Sequence, residues 1–119
     1  VEIGDYGIVS GLSAVHQFVK IGAHVMIGGG AMVRKDVPPF ITAAGEPLAY
    51  AGVNSVGLKR RNFSQEDINE IQTLYRTLYQ SGKNVSQAVN RIKEMHSNRP
   101  LADFILSFIE QSDRGLIRK

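Results

Sequence analysis

The sequence predicts a short β-solenoid followed by a helical domain. Two observations carry that prediction. First, between Ile3 and Pro38 every sixth residue is a β-branched aliphatic: Ile3, Val9, Val15, Ile21, Ile27, Val33. Four places after each stand Gly7, Ser13, Val19, Val25, Ala31 and Val37, all small or β-branched. A fixed short period marks a stacked coil whose repeats touch only their neighbours. Second, from Ser64 onward the apolar spacing becomes helical.

A six-residue period of this kind resembles the hexapeptide repeat of left-handed parallel β-helices. The resemblance implies three hexapeptides per triangular coil, hence about two coils over residues 1–38. Each aliphatic then points inward and stacks on its counterpart one coil later: Ile3 on Ile21, Val9 on Ile27, Val15 on Val33. β-Branched side chains suit the short extended faces. Gly4, Gly22 and Gly28 follow their aliphatics and are expected at corners, where glycine accepts unusual backbone angles. Ser10, His16 and Arg34 occupy the same place in the other repeats and project outward. The left hand comes from the resemblance alone, because crossovers are ordinarily right-handed.

Residues 39–62 read as a connecting arm lying on the coil. Pro38-Pro39 interrupts a hydrogen-bonded ladder, Phe40–Ala43 suits a short extended piece, and Gly45-Glu46-Pro47 reads as a turn. Residues 63–119 form the helical domain, with three helices. Ser64 caps the first, with Asp67 in place of the usual Glu or Gln of a capping box. Ile68, Ile71, Leu74, Tyr75, Leu78 and Tyr79 give it one apolar face, and Gly82 ends it. The second starts near Ser86 and uses Ala88, Val89, Ile92 and Met95. Pro100 opens the third, whose face is Leu101, Phe104, Ile105, Phe108 and Ile109. Packing is the expected role of these aromatics and of Met95.

Composition narrows the chemistry. Without cysteine there is no disulfide frame and no thiol nucleophile, which fits a cytoplasmic protein. No apolar run approaches the roughly 18 residues of a membrane span. The net charge of +3 suits an anionic ligand. The chain opens at Val1 on a repeat boundary without an initiator methionine, which suggests a piece of something longer. Two coils are few for a free solenoid, which normally needs about three repeats.

His16, His24 and His96 are the histidines. His96 lies in a polar stretch near a helix end, where a capping or solvated role is expected. His16 and His24 project from the coils and could act as bases, bind a metal between subunits, or do nothing. No His-Glu-x-x-His or cysteine cluster supports a metal site within the chain. Gly28-Gly29-Gly30 lacks the helix and Lys-Ser/Thr of a nucleotide-triphosphate phosphate loop. Lys59-Arg60-Arg61, taken by itself, is a solvated basic turn before a helix.

An ordered series of motifs then narrows the match. Ala14-Val15-His16-Gln17-Phe18, Ile21–Gly29, Asp36-Val37-Pro38-Pro39-Phe40, Gly52-Val53-Asn54 and Gly57-Leu58-Lys59-Arg60-Arg61 resemble the acyl-carrier-protein-dependent UDP-N-acetylglucosamine O-acyltransferases of lipid A biosynthesis. Tyr75-Arg76 and Arg114-Gly115-Leu116-Ile117 extend the resemblance through the helical tail. The resemblance implies a homotrimer with sites between coils. It implies transfer of a 3-hydroxyacyl chain from acyl carrier protein to the 3-hydroxyl of UDP-N-acetylglucosamine, with no cofactor, metal or nucleic acid. The family's general-base histidine is expected upstream of Val1, so this polypeptide alone is expected to be inactive, with His16 an active-site neighbour of the base. The resemblance further implies sugar-nucleotide contacts from His16, Gln17 and Asn54, and phosphate contacts from Arg60 and Arg61, on the nucleotide or on the carrier's phosphopantetheine arm. Guanidinium forks suit phosphate oxygens. Gly29 and Met26 are implied to shape the acyl-chain groove. Val56 stands where the family often has a nucleoside-holding Glu. Two alternatives stay open: a non-catalytic trimerisation module, or another hexapeptide-repeat acyltransferase.

Overall fold

The computed structural model describes residues 2–9, 11, 14, 15, 17–96 and 98–118, with Ala14 described at its backbone only. Six two-residue strands occupy the repeat region: β1 (Glu2–Ile3), β2 (Ile8–Val9), β3 (Ala14–Val15), β4 (Lys20–Ile21), β5 (Met26–Ile27) and β6 (Met32–Val33). They pair in parallel as β1–β4, β2–β5 and β3–β6. The register puts Ile3 beside Ile21, Val9 beside Ile27 and Val15 beside Val33, as the period requires. The three faces of a triangular coil are therefore three separate small sheets. Ile21, Val25, Ile27 and Val33 fill its interior.

The stack does not stop at Val37. Val37 bridges Ile21 in parallel, and β7 (Ile41–Ala44) pairs in parallel on β5, with Ala43 beside Ile27. A third coil thus covers two faces, where about two coils were expected. Its phase is what hides it. Val33 is followed by its next inward residue after four positions, whereas Val15 is followed by Ile21 after six. The shortened corner breaks the strict period, although the fold continues. Pro38-Pro39 sits at the next corner of this coil. Val37 still makes ladder bonds on both sides, to Lys20 O at 2.9 Å and from Gly22 N at 2.8 Å, so the missing proline N–H groups cost the ladder nothing.

The glycines following the aliphatics serve a different purpose from the one expected. None of Gly4, Gly22 and Gly28 has a positive φ. A Cβ on Gly4 would stand 2.5 Å from the Ala23 nitrogen, and one on Gly22 2.5 Å from the Pro39 nitrogen. The next coil passes too close for any side chain. The left-handed corners fall two places later, and most carry full side chains: Tyr6 (φ 60), Phe18 (φ 69), His24 (φ 59) and Phe40 (φ 74), with Gly30 (φ 73) the glycine among them.

The segment expected as an arm over 39–62 contains β7, the antiparallel strand β8 (Ala49–Val53) and a short helix, α1 (Ser55–Arg60). Three longer helices follow, α2 (Gln65–Gln80), α3 (Val85–Met95) and α4 (Pro100–Glu110), the three expected over residues 63–119; α1 is an addition within the segment expected as an arm. Ser64 Oγ accepts from the Asp67 N–H at 3.0 Å, capping α2. The reciprocal capping box forms instead on α3, between Asn84 and Gln87. Gly82, in the left-handed region at φ 76, closes α2.

α2 is the keystone of the helical layer. Its buried face, Ile68, Ile71, Leu74, Tyr75 and Leu78, joins the coil interior in one continuous core. The buried Tyr75 hydroxyl donates to the Pro39 carbonyl at the coil corner. Tyr50 of β8 stacks on Tyr75 and Tyr79 with centroids 5.7 and 4.7 Å away. The C-terminal segment returns to the coil through bridges of Leu116 to Asp36 and Arg118 to Ala49. Asp36, the one buried charged residue among the described residues, accepts from Lys20 N at 2.7 Å and Ser112 Oγ at 2.6 Å. Its carboxylate ties the second coil to the end of α4, and both bonds are charge-assisted.

Candidate functional site

The corner between the first and second faces of the coil gathers the densest chemistry. Tyr6, His24 and Phe40 occupy this corner in three successive coils, all with left-handed backbones. Their rings stack in file, Tyr6 on His24 at 5.1 Å and His24 on Phe40 at 5.7 Å. Phe63 meets the His24 ring edge-on at 5.0 Å, and Phe104 of α4 closes on Phe40 at 5.5 Å. Such pairs are worth about 0.5–1.5 kcal/mol each beyond area burial.

Asn54 and α1 are built onto this column. The Asn54 N–H donates to the Phe40 carbonyl at 2.8 Å, and its Nδ2 donates to the His24 carbonyl at 3.0 Å. Its Oδ1 accepts from the Gly57 N–H at 3.3 Å and caps α1. Gly57 is required here because a Cβ would stand 2.6 Å from Asn54 Nδ2 and 3.1 Å from an Arg61 nitrogen. Asn54 therefore fixes the site and retains only one amide hydrogen for a ligand.

α1 ends on two arginines with different surroundings. Arg61 lies over the Tyr6 ring at 4.8 Å and points Nη1 at His24 Nδ1, 3.4 Å away. Arginine has no acceptor, so the guanidinium donates and Nδ1 carries the lone pair. His24 is held below the ordinary histidine range, first by burial and then by the Arg61 charge, with Asp5 pulling the other way. Arg60 and Lys59 are exposed, and neither side chain meets an acidic or hydrogen-bonding partner among the described residues. Val56 is 64% exposed beside them, with no polar group to offer a ligand.

The other sequence-predicted residues lie elsewhere. Met26 is half-buried on β5, between Ile8 of β2 and Thr42 of β7. Gly29 is exposed at the next corner, and Gln17 is exposed at the third, beside a Phe18 that is 72% exposed. His16 lies outside the described residues. Within one chain, then, Asn54 and Arg61 meet at the His24 corner, with Arg60 next to Arg61 at the end of α1, while Gln17 and Gly29 lie at other corners and Met26 on the β5 face. A cleft of about 440 Å3 between the β1–β4 face and α4 is lined by Ile3, Ile21, Phe104, Phe108, Lys20 and Gln111 among others, and by none of the sequence-predicted site residues.

Sequence reasoning missed the aromatic column. Its signal was an aromatic ring recurring at one corner, at Tyr6, His24 and Phe40, but the shortened coil shifts the third member out of the period. It also missed that Asn54 caps a helix, because a six-residue helix containing Gly57 has almost no periodicity to read. No cluster of three or more metal-ligating side chains forms among the described residues.

Comparison with known proteins supplies the family. Residues 36–117 match the model of the UDP-N-acetylglucosamine O-acyltransferase family, domain 2. An acyl-carrier-protein–UDP-N-acetylglucosamine O-acyltransferase from Thiobacillus denitrificans is 40% identical over 98% of this chain and 45% of its own length. The equivalent protein of Burkholderia lata is 43% identical over 99% of this chain and 47% of its own. The crystal structure of a UDP-N-acetylglucosamine acyltransferase from Bacteroides fragilis superposes with a TM-score of 0.93 at 45% identity, over 98% of this chain and 46% of that one. A Francisella novicida structure gives 0.93 at 36% identity, over 98% and 43%. The chain spans about half the length of the curated relatives it matches. With a family model covering most of its residues and relatives of 40% identity or more along nearly all of them, the chain belongs to the UDP-N-acetylglucosamine O-acyltransferase family.

Proposed function

We propose that the whole protein transfers a 3-hydroxyacyl chain from acyl carrier protein to the 3-hydroxyl of UDP-N-acetylglucosamine, the first step of lipid A synthesis. The observation that carries this reading is the match of the chain to acyltransferases of that description along 98% of its length. A base takes the hydroxyl proton as the sugar oxygen attacks the thioester carbonyl; the C–O bond forms, the C–S bond breaks, and the carrier thiol leaves protonated. The base belongs to a part of the whole protein outside these residues. His24 is a poor candidate because its Nδ1 already accepts from Arg61. His96 sits at the C-terminal cap of α3, away from the corner.

This chain contributes binding. Arg60 and Arg61 meet the pyrophosphate or the phosphopantetheine phosphate, Arg60 as a mobile exposed cation and Arg61 as a fixed one. Asn54 contributes its remaining amide hydrogen to the uridine side. His16 and Gln17 contact the sugar nucleotide, and Met26 and Gly29 line the acyl-chain groove, which stays long because glycine intrudes nothing. Placement of Gln17, Gly29 and Asn54 at different corners of a triangular coil, with Met26 on a face, supports a homotrimer, in which one subunit's corner meets another's face. The coil is proposed to be left-handed, as in the family. No helix among the described residues is long and apolar enough to cross a membrane; with the absence of cysteine, this supports a cytoplasmic setting. Incubating the whole protein with 3-hydroxyacyl carrier protein and labelled UDP-N-acetylglucosamine should yield the 3-O-acyl product, and none from the isolated chain. No product from the whole protein would refute the reading. Arg60→Ala should raise the KM for the sugar nucleotide or carrier about tenfold, the cost of one charge-assisted contact.

A further inference from the structure

We propose that His24 is a positioning residue, whose unprotonated Nδ1 and ring stack hold the Arg61 guanidinium in the one orientation that presents its free N–H edge outward. The inference rests on the reading that Arg61 meets a phosphate. The geometry comes from both sides of the guanidinium. Tyr6 lies beneath its plane at 4.8 Å, and His24 Nδ1 receives Nη1 at 3.4 Å. Tyr6 and His24 are themselves stacked at 5.1 Å, so the two anchors form one rigid cradle. The cradle is fixed in turn. His24 N donates to Asp5 O at 2.8 Å, His24 O accepts from Asn54 Nδ2 at 3.0 Å, and the ring is closed in by Phe40 and Phe63.

A guanidinium has five donors, and this arrangement uses one of them. Arg61 is thereby spared side-chain entropy that a free arginine loses on binding. Arg60 has no such cradle. The charged and titratable groups facing the imidazole are Arg61 from the end of α1, and Asp5 and Tyr6 from the first coil; the third coil and the Phe63 segment present the phenyl rings of Phe40 and Phe63, and α4 reaches only Phe40, through Phe104. Protonating His24 removes the acceptor and sets two cations face to face. Arg61 must then leave the cradle, and the anion site loses its fixed donor in acid.

The test uses the whole protein. The 15N shifts of the His24 ring should show Nδ1 unprotonated at neutral pH, and Arg61→Gln should move the His24 titration upward. Steady-state kinetics should show the KM for UDP-N-acetylglucosamine rising about tenfold as pH falls through that titration, with kcat changing far less, because the contact is made in ground and transition states alike. His24→Asn keeps an acceptor that cannot protonate and tolerates the left-handed backbone, but loses the ring stack; it should raise KM less than His24→Leu does and flatten its acid rise. His24→Leu should raise KM about tenfold at every pH. A protonated Nδ1 at neutral pH, a His24 titration indifferent to Arg61→Gln, or an acid rise in KM undiminished in His24→Asn would each overturn the proposal. If Arg61→Gln leaves KM unchanged while the ring shifts behave as expected, the cradle stands and the phosphate reading of Arg61 falls.

Discussion

The first and second coils carry the same residue types at the same register, yet their surroundings are opposite. Ile3 and Ile21 are stacked partners, one 49% exposed and the other 2%. Ile21 has a coil on each side, with Ile3 on one and Val37 on the other, whereas Ile3 has a neighbour on one side only. A solenoid residue is half solved by its own repeat and half by the next. The periodic pattern specifies which way each side chain points; it does not specify how deeply it is buried.

The largest expected effects break the covered coil. Ile21→Ala should cost about 2–5 kcal/mol, as for other fully buried aliphatics. Ile3→Ala should cost the isolated chain about 1 kcal/mol, since half of that side chain already meets water. Urea unfolding of the two variants measures the difference. Repeating it in the whole protein sharpens the comparison: if further repeats cover this face, the cost of Ile3→Ala should climb toward that of Ile21→Ala. Equal costs in the isolated chain would show that exposure does not govern the difference.

Next come the glycines. Gly22→Ala places a Cβ 2.5 Å from the Pro39 nitrogen, backbone that has nowhere to move. Overpacking of this kind typically costs about 1–3 kcal/mol. In Gly28→Ala the nearest atom is Ala44 Cβ at 3.5 Å, an ordinary contact, and the change should be within about 0.5 kcal/mol of neutral. Equal melting temperatures for the two variants would mean that the close passage of the coils is not what demands glycine.

The same contrast explains what could be read in the sequence. The inward register, the stacking partners, the cap at Ser64, the stop at Gly82 and the start at Pro100 all follow from local rules, and each is present. The third coil was hidden because one short corner shifts its phase. The reason for Gly4 and Gly22 was hidden because it lies in the neighbouring coil, a contact no local rule contains. Of the site, Asn54 and the arginines stood out by composition. The division between a fixed Arg61 and a free Arg60 depends on Tyr6 and His24, which are distant in sequence and meet only once the coils stack.

Tyr75 and Tyr79 are a smaller test of how the helical layer grips the coil. Both donate to coil-side or strap carbonyls, Tyr75 to Pro39 and Tyr79 to Ile117 at 3.0 Å. Burial raises both hydroxyls above their ordinary range, so they remain donors at any physiological pH. Tyr75→Phe leaves the Pro39 carbonyl without its donor in the core and should cost about 1–3 kcal/mol. Tyr79→Phe, at a part-buried bond, should cost about 0.5–1.5 kcal/mol. A larger loss from Tyr79→Phe would make the C-terminal strap, rather than the α2–corner contact, the main tie.

The smallest expected effect is on pH. His24 has its folded-state pKa lowered, so the folded chain binds fewer protons there than the unfolded chain. With that sign, stability rises with pH across the His24 titration and levels off above the unfolded value of about 6.5. As pH falls below that value the unfolded state gains the proton first, and the penalty grows until the folded imidazole protonates too. The ring is partly open to solvent, so the effect should be a modest slope. Unfolding free energies measured between about pH 5 and pH 8 should show it in the parent. His24→Asn should lose it, because the carboxamide does not titrate. Arg61→Gln should weaken it while leaving the burial contribution, since Arg61 is the second cause of the shift and desolvation the first. A slope unchanged in His24→Asn would place its origin at another group and leave the corner column without a pH-sensitive member.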